Sequence, residues 1–285
     1  MRGLTKLLLM LDNKETAADG VMENAGGTDS GAFSGADNTG GGEDLFGFTS
    51  GSQKTPSKRY NQEDLEFIAA FYSPKFSSNL LEKTAKRFYE INADAFTSFI
   101  QAWMSELPIE KELLAFGRGI MAARDKREAE TAANDRGNDD TRMVLNTAGK
   151  VQFEIHKMYG LLRFFPGEEG AYIARFAPDF LILPALGGYF TMRFGETPWV
   201  IIDEKRGLIL SRLRSNSAEE GLPLKTEIQI LDGPIAENSA GNSDEWEDLW
   251  RHYHKTINNE SRDNPDLQRQ FMPKRYWKYL PEVKN

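Results

Sequence analysis

"WVIIDEKRGLILSRLR", residues 199–214, is the stretch on which the fold turns. Trp199 to Ile202 and Leu208 to Leu213 are short apolar runs rich in β-branched residues, and between them Asp203 to Gly207 is charged and closes on a glycine. That grammar predicts a β-hairpin, with Pro198 introducing its first strand.

Working back from the hairpin, Pro184 is placed to open a helix carrying Leu186, Phe190 and Phe194, after an apolar run from Phe180 to Leu183. Before the turn at Pro178-Asp179, Ala171 to Phe176 reads as a short strand. Val151, Ile155, Met158, Leu162 and Phe165 form one apolar stripe, which predicts a helix over 151–165 ending at Pro166-Gly167. Residues 58–150 are helical in pattern. Leu65, Ile68, Ala69 and Tyr72 recur at helical spacing, as do Leu80, Leu81, Ala85 and Phe88, and then Phe96, Phe99, Ile100 and Trp103. Ser105 to Pro108 ends one helix, and Ala132 to Asp140 is a polar break.

From Asp19 to Ser57 the chain carries ten of its 25 glycines among Ser, Thr, Asn and Asp, with almost no apolar periodicity. Such a stretch cannot offset backbone ordering by burial, so a disordered linker is expected over it. Ahead of it lies a short amphipathic piece, Gly3 to Lys14. Forward from the hairpin, Leu224 to Leu231 reads as a third strand. Beyond a polar loop, Asp244 to Asn258 predicts a helix capped by Ser243, with Trp246, Leu249, Trp250, Tyr253 and Ile257 on its buried face. The expected class is α+β: helices in the N-terminal half, and a small, mostly antiparallel sheet packed on helices in the C-terminal half. The expected divisions are 1–57, a short apolar segment plus the Gly-rich linker; 58–150, helical; and 151–285, α+β with a basic-aromatic tail.

With 40% hydrophobic residues and 18 Phe, the 285-residue chain has the composition of a folded protein. It has no cysteine, which excludes disulfides, thiolate metal and cluster ligands and cysteine nucleophiles, and fits a cytoplasmic setting. No apolar run approaches the roughly 20 residues that cross a bilayer, so no membrane partner is expected. The net charge of -8 divides as -4, -1 and -3 over 1–57, 58–150 and 151–285. A nucleic-acid partner would therefore have to be held by a local patch.

Two segments carry such chemistry. On the helix predicted over 151–165, Gln152, His156, Gly160 and Arg163 fall along one polar edge. His156 and Arg163 are candidates for a phosphate or base contact or for catalysis, and equally for hydrogen bonds at the margin of the core. In the tail, Arg262, Arg269, Lys274, Arg275 and Lys278 interleave with Phe271, Tyr276, Trp277 and Tyr279. Cations alternating with rings suit phosphate contact and base stacking, while the same rings could pin the tail to the domain or form a protein interface. His252 and His254, at i and i+2, point to opposite sides of a helix and cannot share a metal ion. No metal site and no cofactor are expected, and phosphate-loop, dinucleotide, nucleophile-elbow and zincin motifs are absent.

"NPDLQRQFMPKRYWKYLPE" (264–282), following "EDLWRHYH" (247–254), resembles the C-terminal end of a family of DNA-metabolism and DNA-repair proteins. "EIHKMYGLLRF" (154–164), "LPALGGYFTMRF" (183–194) and "WVIIDEKRGL" (199–208) resemble its middle, and "AFTSFIQAWMSELP" (95–108) resembles its helical half. Members neighbour a radical-SAM protein, and some are fused to a uracil-DNA-glycosylase domain. The resemblance implies an accessory factor that binds DNA, a radical-SAM or uracil-DNA-glycosylase-type partner, or both. The alternatives are a nucleic-acid-processing enzyme with a pocket around His156 and Arg163, and a pure protein-interaction module. "GLTKLLLML" (3–11) is similar to the family's first helix, without the strand and Asp-Gly turn that precede it there.

Overall fold

The computed structural model describes residues 3–12, 60–167, 170–214, 224–230, 248–249, 251–252, 256 and 272–283. The Gly-rich stretch, and with it the expectation of disorder, lies outside them, as do Arg269, Phe271 and His254. Helices fill the N-terminal half and a five-stranded sheet the C-terminal half, as expected from the pattern. The helices are α1 (Leu4–Leu9), α2 (Gln62–Phe71), α3 (Lys83–Ile91), α4 (Ala93–Met104), α5 (Glu110–Met121), α6 (Lys126–Asn134), α7 (Asp139–Leu161) and α8 (Leu183–Phe194). The strands are β1 (Phe164–Pro166), β2 (Tyr172–Phe176), β3 (Trp199–Asp203), β4 (Leu208–Arg214) and β5 (Leu224–Ile230), and they stand in the sheet in chain order.

Local chemistry starts the helices where the chain needs them. Asn61 caps α2 through a reciprocal box with Asp64, and Asn92, Asp125 and Asn138 accept backbone N–H bonds at the starts of α4, α6 and α7. Proline stands in the first turn of α8, where its missing N–H costs nothing. Ser105 caps the end of α4, closing it before Pro108 as the sequence suggests.

The helix predicted over 151–165 is instead the second half of α7, which starts at Asp139 and ends at Leu161. It runs through residue 150. Phe164–Pro166 is strand rather than helix, paired antiparallel with Tyr172–Ala174. Pro166 is the cause: its ring disfavours helical geometry at Phe165, and its lack of an N–H is harmless on an edge strand. β1–β2, β3–β4 and β4–β5 are antiparallel, whereas β2 and β3 are parallel and are joined by α8, a β-α-β crossover.

One continuous core joins helices and sheet, from Leu4 and Leu7 through Phe88, Phe96 and Phe99 to Phe190, Trp199 and Ile201. α8 and α2 pack on each other and on the sheet. Their crossing is close at Gly188, where a Cβ would stand 2.1 Å from the Tyr72 carbonyl oxygen. Leu249, expected on a buried face, is 56% exposed, because an amphipathic pattern marks an apolar side without supplying something to cover it. Trp246, Trp250, Tyr253 and Ile257 lie outside the described residues. Among the described residues no helix is long and apolar enough to cross a membrane.

Candidate functional site

Glu154, buried on α7, organises the surroundings of both sequence candidates. Its carboxylate accepts the backbone N–H groups of Asp179 and Phe180, each at 2.9 Å, and the hydroxyl of Tyr276. The same loop is gripped from its carbonyl side. Lys205 Nζ donates to Asp179 O at 2.8 Å, and Arg206 donates to Pro178 O and Asp179 O at 3.2 and 2.8 Å. Arg206 also bridges the fully buried Asp203 at 3.0 Å and Glu106 at 2.5 Å. Burial holds the Asp203 carboxyl above the ordinary aspartate range against the pull of Arg206, and burial followed by Arg206 lowers Lys205. Glu106 has φ +60, alone among the described non-glycine residues, and its tie to Arg206 holds that unfavourable geometry.

The tail folds onto this frame as two short 3-10 segments, Lys274–Tyr279 and Pro281–Val283. Tyr276 is 2% exposed on Glu154, and Tyr279 donates to Glu204 at 2.6 Å. Burial first, and then the facing carboxylate, pushes both phenols well above the ordinary tyrosine range. Arg275 pairs with Asp179 at 2.6 Å, and Lys278 approaches Glu204 at 3.5 Å. Trp277 is half-buried, its indole N–H donating to Met272 O at 2.7 Å, and Lys274 is exposed. Arg163 lies beyond the end of α7. It binds Gly160 O at 2.7 Å and the buried Glu282 carboxylate at 2.5 Å, so it ties the tail from the other side. Arg163 and Tyr276 thus serve as anchors, as the sequence alternatives allowed.

His156, by contrast, faces out with a set of neighbours that the sequence reading passed over. On the exposed side of α7, Phe153 is 48% exposed and the Lys157 ammonium stands 4.4 Å over its ring. His156 is exposed on the neighbouring edge of the helix and meets Tyr159 edge-on at 6.2 Å. Tyr159 stacks on Tyr189 of α8 with centroids 4.0 Å apart and planes within 19°, and Arg193 donates to the Tyr189 hydroxyl at 3.3 Å. Gln101 donates to Tyr72 at 3.1 Å and to Gln152 at 2.5 Å at the inner margin of this face. Burial, and after it the charge of Arg275, lowers Lys157, so a tail cation and an α7 cation share one field. Arg275 thus reaches the field of Lys157 although it pairs with Asp179, His156 stands on a separate edge of α7 beside Tyr159, and Arg163 is turned to Glu282. Phe153 was legible as an aromatic off the apolar stripe with a lysine four residues on. The Tyr159–Tyr189 stack was not, since α8 supplies half of it.

The face offers aromatic edges, cations and amides, the functional groups that contact phosphates and bases. Two of the concavities among the described residues bear on this reading. One, of about 440 Å³, lies on the sheet between Val200, Ile209, Ser211 and Lys225, and the other, of about 110 Å³, lies between α5, α6 and the start of α7. Neither is lined by His156 or Arg163. Among the described residues no cluster of three or more His, Asp or Glu side chains could hold a metal ion.

No curated protein and no solved structure matches the chain. A family model described as a domain of unknown function, DUF4130, matches residues 118–282. That span runs from within α5 through α7, the whole sheet and the tail with its anchors, and on it the chain belongs to the DUF4130 family.

Proposed function

We propose that this chain is an accessory factor of DNA metabolism or repair, acting in the cytoplasm, that binds nucleic acid through the outward face of α7 and works beside a radical-SAM protein and a uracil-DNA-glycosylase-type protein. The observation that carries the reading is the exposed Phe153 ring with the Lys157 ammonium above it, on a helix that also presents the exposed His156. An exposed ring among cations on an acidic protein has a use in stacking a base while its neighbours meet phosphates. The resemblance of residues 154–164 and 264–282 to DNA-repair proteins supports the same direction. A chain without cysteine cannot hold a thiolate-ligated cluster, so cluster chemistry falls to the partner.

The test is fluorescence anisotropy with single- and double-stranded oligonucleotides over a salt series. Phe153→Ala is expected to weaken single-strand binding by about 1–3 kcal/mol. Lys157→Gln is expected to lower the salt slope by about 0.7–0.9 for the phosphate contact it loses. A parent chain that binds neither strand form at low salt, or folded variants indistinguishable from it, would overturn the assignment.

A further inference from the structure

α1 is held in a socket built from three other helices. Leu4, Leu7, Leu8 and Leu11 are all 6% exposed or less. Asp64 of α2 accepts the N–H and hydroxyl of Thr5, both at 3.0 Å. At the other end, Thr84 and Arg87 of α3 donate to Asp12 at 2.7 and 3.1 Å, and Arg118 of α5 donates to Met10 O at 2.9 Å. The floor is cut to fit: at Gly117 a Cβ would stand 2.7 Å from Leu11 Cδ2. Polar grips at both ends and four apolar positions between them fix the register of the bound helix.

The groups named above that hold α1 all lie in residues 60–121, and the 46 residues from Asn13 to Lys58 separate it from that socket along the chain. Fully extended, such a connection reaches on the order of 150 Å. The socket reads only residues 3–12, so the same segment on another molecule satisfies each contact equally.

We infer that the socket formed by α2, α3 and α5 is a binding site for a short leucine-rich helix, and that α1 of a second copy of this chain can occupy it in place of the copy's own. The site lies apart from the α7 face, so it stands or falls independently of nucleic-acid binding. Occupancy in cis prevails in dilute solution, and exchange between copies rises with concentration.

Two experiments decide it. In the first, a protease site is placed within residues 13–58, the full chain is cut there, and a fluorescent synthetic peptide of residues 1–14 is added. The cut chain should stay folded by circular dichroism and take up the peptide at one per socket, with a Leu7→Asp peptide at least 100-fold weaker. In the second, deletion of residues 13–58 joins Asp12 to Arg59, leaving their Cα atoms 3.8 Å apart. α1 runs about 10 Å from Thr5 at Asp64 to Asp12 at Thr84, and Arg59 and Tyr60, the residues left between Asp12 and the Asn61 cap, retrace it only when fully stretched, which disfavours occupancy in cis. The shortened chain should be a dimer at all accessible concentrations, and adding Leu7→Asp should abolish the dimer. A cut chain that unfolds, that refuses the peptide, or that takes up the Leu7→Asp peptide equally well would overturn the inference, as would a shortened chain that stays a folded monomer or fails to fold.

Discussion

Glu154→Gln tests whether one buried carboxylate holds the tail to the sheet. The amide has the same shape, but one of its two positions must be an NH2 group. With the amide oxygen facing Asp179 N–H and Tyr276, the NH2 meets the Phe180 N–H, donor against donor. Two bonds fall from charge-assisted to neutral, at about 1 kcal/mol each, and one buried donor is left without an acceptor, at about 1–3 kcal/mol. Relief of the carboxylate's desolvation offsets part of this, so the expected net loss is about 2–4 kcal/mol. For a domain of this size that lowers the Tm by about 5–15 °C. Thermal and guanidinium unfolding followed by circular dichroism measure it, in a chain with no cysteine chemistry to complicate reversibility. Tyr276→Phe should cost about 1.5–3 kcal/mol, and the double variant less than the sum, because the two groups share one bond. A Glu154→Gln protein within 0.5 kcal/mol of the parent, or strictly additive variants, would show that the tail is held by something else.

Alkaline pH should weaken the fold. Burial pushes Tyr60 and Tyr72 up to about 12 and places Tyr276 and Tyr279 above the ordinary range as well. The unfolded chain therefore loses these protons first: the stabilisation is fully present below about pH 10 and is lost as pH rises toward 12, by about 1.4 kcal/mol per pH unit for each tyrosine. Tyr60→Phe should flatten the fall of Tm between pH 10 and 11.5, and an unchanged slope would contradict the burial argument. Gly188→Ala brings a methyl to 2.1 Å from the Tyr72 carbonyl oxygen, which is backbone and cannot swing aside. Loss of about 3 kcal/mol or more is expected by chemical denaturation, and a near-neutral result would mean that α2 and α8 do not cross there.

Much of this architecture could be read locally. The apolar runs and charged turn of 199–214, the proline ahead of Leu186 and the stop at Ser105 to Pro108 that ends α4 depend on neighbours a few residues away, so strands and helices appeared near their places. Where the reading failed, a local and a distant preference competed. Phe164 to Pro166 carries a helical stripe's last apolar position, yet the pairing with Tyr172–Ala174 and the geometry imposed by Pro166 won. Leu249 showed the same limit from the other side.

The candidate site was less legible, because its parts are brought together over long chain separations. Tyr276 reaches Glu154 across 122 residues, Arg163 reaches Glu282 across 119, and Thr5 reaches Asp64 across 59. No spacing rule links such pairs, so the tail's alternating rings and cations suggested one surface while packing divided them, Tyr276 and Tyr279 inward to Glu154 and Glu204 and the Lys274, Arg275 and Lys278 side chains toward the exposed side. By itself, the sequence determined that this is an α+β chain with a Gly-rich stretch and a basic-aromatic end, since propensity and period act over a few residues. Only the tertiary structure decided that Tyr276 is an anchor, that Phe153 stays exposed and that α1 has a socket, since burial depends on which distant surfaces arrive to cover a side chain.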